Sequence, residues 1–265
     1  MTIRENLINK KKIVIKIGSS SITHCETGEI DYGRLEKFIR ELINLKNMGK
    51  EVVLVSSGAI AVGTKVMNLT KRPSLIEEKQ AVAAIGQANL MMCYQKIFGE
   101  YNQKVAQILI TKDLMDHPVR RQNAQNTINA LLKMGVIPIV NENDTVATEE
   151  IVYGDNDTLS AIVGSLITAD LLILLSDIDG LYSEDPRKNN KAMHIPEVEE
   201  ITEEIEKMAG GVGSCVGTGG MATKICAAQI ATDHGVDMII ANAGMHHVIG
   251  KIFEGKPIGT LFIAH

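Results

Sequence analysis

With 265 residues the chain is long enough to enclose a sizeable core, as one large domain or two small ones. Its formal charge of −5 and 3% aromatic content exclude a general nucleic-acid surface, which needs basic patches and stacking rings. Any anionic ligand has to be held by a few local cations. No linker, charge block or solenoid repeat divides the chain, which reads as a single domain over 1–265. Cys25, Cys93, Cys215 and Cys226 show neither CxxC spacing nor a histidine at zinc-finger distance, and read as idle thiols of a reducing cytosol. The polar start MTIRENLINKKK and the absence of a run of about eighteen apolar residues predict a cytoplasmic protein without a membrane partner.

Short apolar runs rich in β-branched residues alternate with amphipathic stretches. Residues 13–17 predict a strand, and Leu35, Phe38, Ile39, Leu42 and Ile43, spaced by three and four, predict a helix over 33–47 that Gly49 stops. A strand over 52–55, a long helix over 76–98, a strand over 105–110, a helix from about 121 to 134 and a strand over 136–140 follow. The second half predicts a helix from about 157 to 168, a strand over 171–175 and a hairpin through SDIDGLYSEDPR. An acidic helix near 202–208, a helix near 222–232 and parallel strands over 238–241 and 260–263 complete the pattern. The β, α order predicts an α/β fold with a mainly parallel sheet covered on both sides.

Such sheets bind ligands beyond the carboxyl ends of their strands. Those ends carry Lys16 and Gly18, then Ser56, Ser57 and Gly58, then Asn141 and Asp144, then Ser176 and Asp177, then Asn242 and Gly244. Lys16 interrupts an apolar strand, where an ammonium group is expensive to bury. Standing alone it is a snorkelling edge lysine, but Gly18 and Ser19, Ser20 and Ser21 follow it with N–H groups suited to phosphoryl oxygens. A second glycine-rich stretch, GGVGSCVGTGGMATK, leads into a helix whose N-terminal amides favour an anion, and it ends on Lys224. Neither stretch is a Walker or dinucleotide motif.

The segment 141–157, NENDTVATEEIVYGDND, sets six carboxylates directly after a strand. A lone DND is an N-cap, and Glu142 and Asp144 alone are solvated loop charges. With two lysines available, one carboxylate can orient both ammonium heads while others meet a substrate ammonium or magnesium-bound water. The combination points to phosphoryl transfer to a small acceptor carrying an ammonium group. Asp185-Pro186-Arg187 reads as a turn, and Arg120 and Arg121 are the only arginines expected near the rim.

IVIKIGSSSIT, VVLVSSGAIAVG, IPIVNENDTVAT, YGDNDTLSA, LLILLSDIDGLYSEDPR and GTGGMATK, in this order, resemble the glutamate 5-kinase branch of the amino acid kinase family. The resemblance implies a three-layer α/β/α sandwich and transfer from ATP, with Mg2+, to the γ-carboxylate of L-glutamate, opening proline synthesis. It implies that Lys16 and Lys224 stabilise the transferring group with Asp157 orienting them, and that Gly18 and Gly58 donate backbone N–H groups nearby. Ser57, Asp144 and Asn156 match the family's glutamate-binding positions, with Asn141 and Asp155 close by. Ser176, Asp177, Thr218, Gly219, Gly220, Met221, Ala222, Thr223 and Lys224 match its ATP-binding positions. Many relatives carry a further PUA domain, which is not expected here. A homo-oligomer, dimer or tetramer, and a link to the next enzyme of the proline pathway are also implied. The alternatives are a family member with another carboxylate or carbamate acceptor, and a nonenzymatic amino-acid sensor.

Overall fold

Runs of buried β-branched and leucine side chains set the strands of the computed structural model, which describes residues 2–24, 26–147, 156–209 and 220–264. The strands are β1 (Lys12–Ile17), β2 (Glu51–Ser56), β3 (Val105–Ile110), β4 (Ile137–Glu142), β5 (Leu171–Ser176), β6 (Leu181–Tyr182), β7 (His194–Ile195), β8 (Glu197–Val198), β9 (Asp237–Asn242) and β10 (Thr260–Phe262). The helices are α1 (Ile3–Asn6), α2 (Ser19–Ile22), α3 (Tyr32–Asn47), α4 (Ala59–Val66), α5 (Ile76–Glu100), α6 (Pro118–Lys133), α7 (Asn156–Ile167), α8 (Glu203–Met208), α9 (Met221–Thr232) and α10 (Val248–Phe253). None of them is long and apolar enough to cross a membrane. The chain forms two compact units, Ile17–Asn156 and the pair of segments Met1–Lys16 with Asp157–His265.

In the unit 17–156, β3, β4 and β2 pair in parallel in that order, with Ile108 opposite Val140 and Leu54 opposite Ile139. Val52, Val53, Leu54 and Val55 are fully buried, the continuous apolar run of a parallel strand. The stripe Leu35, Phe38, Ile39 and Leu42 that predicts α3 is its buried face. The pair α4 and α5 sits backbone against backbone. A Cβ on Gly86 would lie 1.8 Å from the Ala59 carbonyl oxygen, and one on Gly63 would lie 1.9 Å from that of Val82. Only hydrogen fits at either place, and this contact sets the start of α4 beside the middle of α5.

In the other unit β1, β5, β9, β10 and β8 follow one another, with β5 and β9 parallel and Ser176 opposite Asn242. The α/β class with a mainly parallel sheet is borne out. One strand departs from it: β10 runs antiparallel to β9, with Thr260 opposite Ile240 and Phe262 opposite Met238. The chain enters β10 at the end where it left β9. The hairpin is also wider than expected, because β6 pairs with β7 across residues 183–193 rather than closing inside SDIDGLYSEDPR. The short apolar helix α4, with no polar face to give it helical periodicity, is not predicted from the sequence.

Gly86→Ala forces the α4 and α5 backbones apart and is expected to lower stability by about 3 kcal/mol, the upper range for overpacking. Urea denaturation reads this; an unchanged midpoint would show that the helices separate freely.

Candidate active site

Lys16 follows Ile13, Val14 and Ile15 near the end of β1 and is 7% exposed. Asp157 lies in the first turn of α7, fully buried, and Lys224 in the first turn of α9. These three residues, distant in sequence, meet in one unit. Lys16 Nζ is 2.5 Å from Asp157 Oδ1, and Lys224 Nζ is 2.9 Å from Asp157 Oδ2. The Thr223 hydroxyl adds a contact of 3.2 Å to Oδ2 and one of 3.0 Å to the Gly220 carbonyl. Burial by itself would raise the Asp157 pKa, but the two neighbouring ammonium groups outweigh it and hold the carboxyl below its usual range. One carboxylate between two lysines leaves the cluster with a net positive charge, so an anion is the ligand that completes it.

Lys224 also lines a cavity of about 570 Å³ in the same unit, within the range of small-molecule sites. Asp177, Tyr182, Arg187, Gly220 and Met221 contribute to its walls. Gly220 precedes α9 with φ 144° and, having no side chain, gives the first N–H groups of this twelve-residue helix no side-chain cap. Asp177 binds Arg187 at 2.8 Å and accepts from the Ser176 hydroxyl at 3.1 Å. Burial raises its pKa, and these contacts outweigh burial to give a net lowering. Arg187 lies in the expected turn and is exposed, and it also forms part of the cavity wall. Ser176, Ala222 and Thr223 do not line this cavity, while Asp155, Thr218 and Gly219 lie outside the described residues.

The unit 17–156 holds a smaller cavity of about 90 Å³. Ser57, Asn141, Asp144 and Asn156, all expected together from the sequence, line it with Gly58 and Glu142. Gly58 adopts φ 116°, a conformation that suits glycine, and turns the chain from β2 into α4. Asn156 donates through Nδ2 to Asn141 Oδ1 at 2.7 Å and to the Ser56 carbonyl at 3.1 Å. Gly18 caps α2 and lines neither cavity.

Two residues escaped the sequence reading. Gln87, on α5, accepts from Asn141 Nδ2 at 2.8 Å, and nothing about an isolated glutamine in a helix signals that role. Arg72 lines the smaller cavity, whereas Arg120 and Arg121 do not; Arg120 faces Asp113 at 3.5 Å. The loop between α4 and α5 brings Arg72 to a rim that the strand ends alone did not predict.

Residues 11–242 match the family model described as the amino acid kinase family. The chain is 55% identical to a glutamate 5-kinase from Carboxydothermus hydrogenoformans, over 98% of this chain and 69% of that protein. It is 51% identical to a glutamate 5-kinase from Clostridium perfringens, over 98% of both. Among solved structures, the UMP kinase of Ureaplasma parvum superposes with a TM-score of 0.68 at 15% identity, covering 96% of this chain and 99% of that one. At that identity the likeness is one of fold alone.

Asp157→Asn leaves two buried ammonium groups without a counter-charge and is expected to lose about 3 kcal/mol at neutral pH. Because the folded pKa lies below the unfolded one, the carboxylate's contribution is complete above the ordinary carboxylate range and vanishes as pH falls through the depressed value. Wild type and variant should therefore converge in acid. Denaturation curves separated by the same gap at every pH would contradict this.

Proposed function

The chain belongs to the amino acid kinase family, and we propose that it transfers the γ-phosphoryl group of ATP to the γ-carboxylate of L-glutamate, giving L-glutamyl 5-phosphate for proline synthesis. The observation that carries this reading is the convergence of Lys16 and Lys224 on Asp157. In the transfer a carboxylate oxygen forms a bond to phosphorus while the bond from phosphorus to the β,γ-bridging oxygen breaks and ADP departs. Negative charge on the transferring group and on the leaving oxygen is what two preorganised ammonium groups stabilise. Asp157 spaces the lysines and takes no proton. The acceptor carboxylate is already ionised at neutral pH, so no general base is required.

The larger cavity suits the nucleotide, with its polyphosphate directed at Lys224 and the uncapped start of α9. The smaller cavity suits the acceptor. Asp144, Glu142 and the Asn156 carbonyl oxygen face its ammonium group, and Arg72, the only cation among the described lining residues, faces its α-carboxylate. Asn156 and Asp157 are successive residues, so the side chain that reads the acceptor and the one that spaces the lysines are neighbours in the chain.

Both Asp157 oxygens are engaged by lysines, and the described residues contain no group of three or more metal-binding side chains. This donor set fits a magnesium ion carried by triphosphate oxygens and water rather than by a protein cage. When bound, it neutralises part of the phosphate charge.

Hydroxylamine traps an acyl phosphate as a hydroxamate. We expect hydroxamate that depends on L-glutamate, ATP and magnesium; none with glutamate but product with another acceptor would reject the assignment. Lys224→Ala should lower kcat by roughly 100-fold or more with little change in glutamate KM. Asp144→Ala and Arg72→Ala should chiefly raise glutamate KM, and a normal KM in either would remove its contact with the acceptor.

A further inference from the structure

Behind the smaller cavity three side-chain amides stand in line, and two backbone groups decide which way they point. The Glu142 N–H, which can only donate, lies 2.9 Å from Asn141 Oδ1. The Ser56 carbonyl, which can only accept, lies 3.1 Å from Asn156 Nδ2. These contacts assign both amides without ambiguity. Asn141 Oδ1 receives a second hydrogen from Asn156 Nδ2 at 2.7 Å, and Asn141 Nδ2 must then find an acceptor elsewhere. Gln87 Oε1 is that acceptor, at 2.8 Å. Asn156 has used both Nδ2 hydrogens, so the end it offers the cavity is its carbonyl oxygen.

Gln87 is 7% exposed, and its Nε2 is buried without a hydrogen-bond partner. Such an orphan costs about 1–3 kcal/mol, so the oxygen's contact is retained against a penalty that an apolar side chain would avoid; a turned amide would set donor against donor at Asn141 Nδ2. The helix α5 holds Gln87 firmly, because the preceding Gly86 is pressed against the Ala59 backbone. Two turns on, the Tyr94 hydroxyl bonds Ser56 Oγ at 2.7 Å. One helix thus grips both partners of Asn156, Asn141 through Gln87 and Ser56 through Tyr94.

We propose that Gln87 is a positioning residue for the acceptor: acting through Asn141, it keeps the Asn156 carbonyl oxygen turned to the cavity and so selects ligands that present a hydrogen-bond donor there, an ammonium group above all. This rests on the smaller cavity being the acceptor site. The side chain itself does not line that cavity. Its influence lies in discrimination between an amino dicarboxylate and the same dicarboxylate without the amine.

Glutarate, which lacks only the ammonium group of glutamate, is the probe. In Gln87→Met, which keeps length but loses the acceptor, glutamate KM should rise by about tenfold, equivalent to about 1.4 kcal/mol, while the inhibition constant of glutarate and the KM for ATP stay within about twofold. Gln87→Glu retains an oxygen for Asn141 Nδ2 and should keep the preference for glutamate. A merely structural role would weaken glutamate and glutarate together. Equal losses in Gln87→Met, or lost preference in a folded Gln87→Glu, would overturn the proposal. Should Gln87→Met not fold, the Gln87→Glu preference decides alone. Failure of the acceptor reading is separately visible, because wild-type protein would then give no glutamate-dependent hydroxamate.

Discussion

A single buried carboxylate shared by two lysines is the constraint around which the chemistry is built. Either lysine alone in so enclosed a place would carry a desolvation penalty of several kcal/mol. Asp157 relieves that penalty for both, and by standing between them it also sets their spacing. The remaining positive charge has a direct consequence for ligand choice, since the cluster is electrostatically incomplete until an anion arrives. The same arrangement explains why the carboxyl group resists protonation although it is fully buried. A structural ion pair would normally be neutral; this one is deliberately unbalanced.

The smaller cavity follows a different principle. As the acceptor site we propose, it would select by the direction of amide dipoles, and backbone groups with only one possible role help to set those directions. Glu142 N–H and the Ser56 carbonyl cannot exchange donor for acceptor, which favours one orientation of Asn141 and Asn156, and Gln87 Oε1 holds Asn141 in it. Close packing of α4 on α5 at Gly63 and Gly86 supplies the rigidity this needs. Fixed polarity on a rigid helix is a cheaper way to read an ammonium group than a mobile charged side chain, because little ordering entropy is lost on binding.

Much of this was legible in the residues themselves. The apolar runs at 13–17, 52–55 and 171–175 mark buried strands because parallel strands between helices have no polar face. Lys16 is conspicuous for interrupting such a run, and Asn141, Asp144 and Asn156 are conspicuous as polar groups just past another. The strand direction of β10 was not legible, because an apolar triplet looks the same in either orientation. The turn at Arg187 was legible, but its ion pair with Asp177 was not, because that depends on how residues 183–193 fold back.

The sequence by itself determined the α/β alternation, the strand ends that carry polar groups and the residue types required for moving a phosphoryl group, since periodicity and composition are local properties. Tertiary structure alone decided that Lys16 and Lys224 share Asp157, that Gln87 stands behind Asn141 and that Arg72 reaches the smaller cavity. Each of those joins residues dozens to hundreds of positions apart. Hydrogen bonds and ion pairs act over about 3 Å, a distance that only the packed chain establishes.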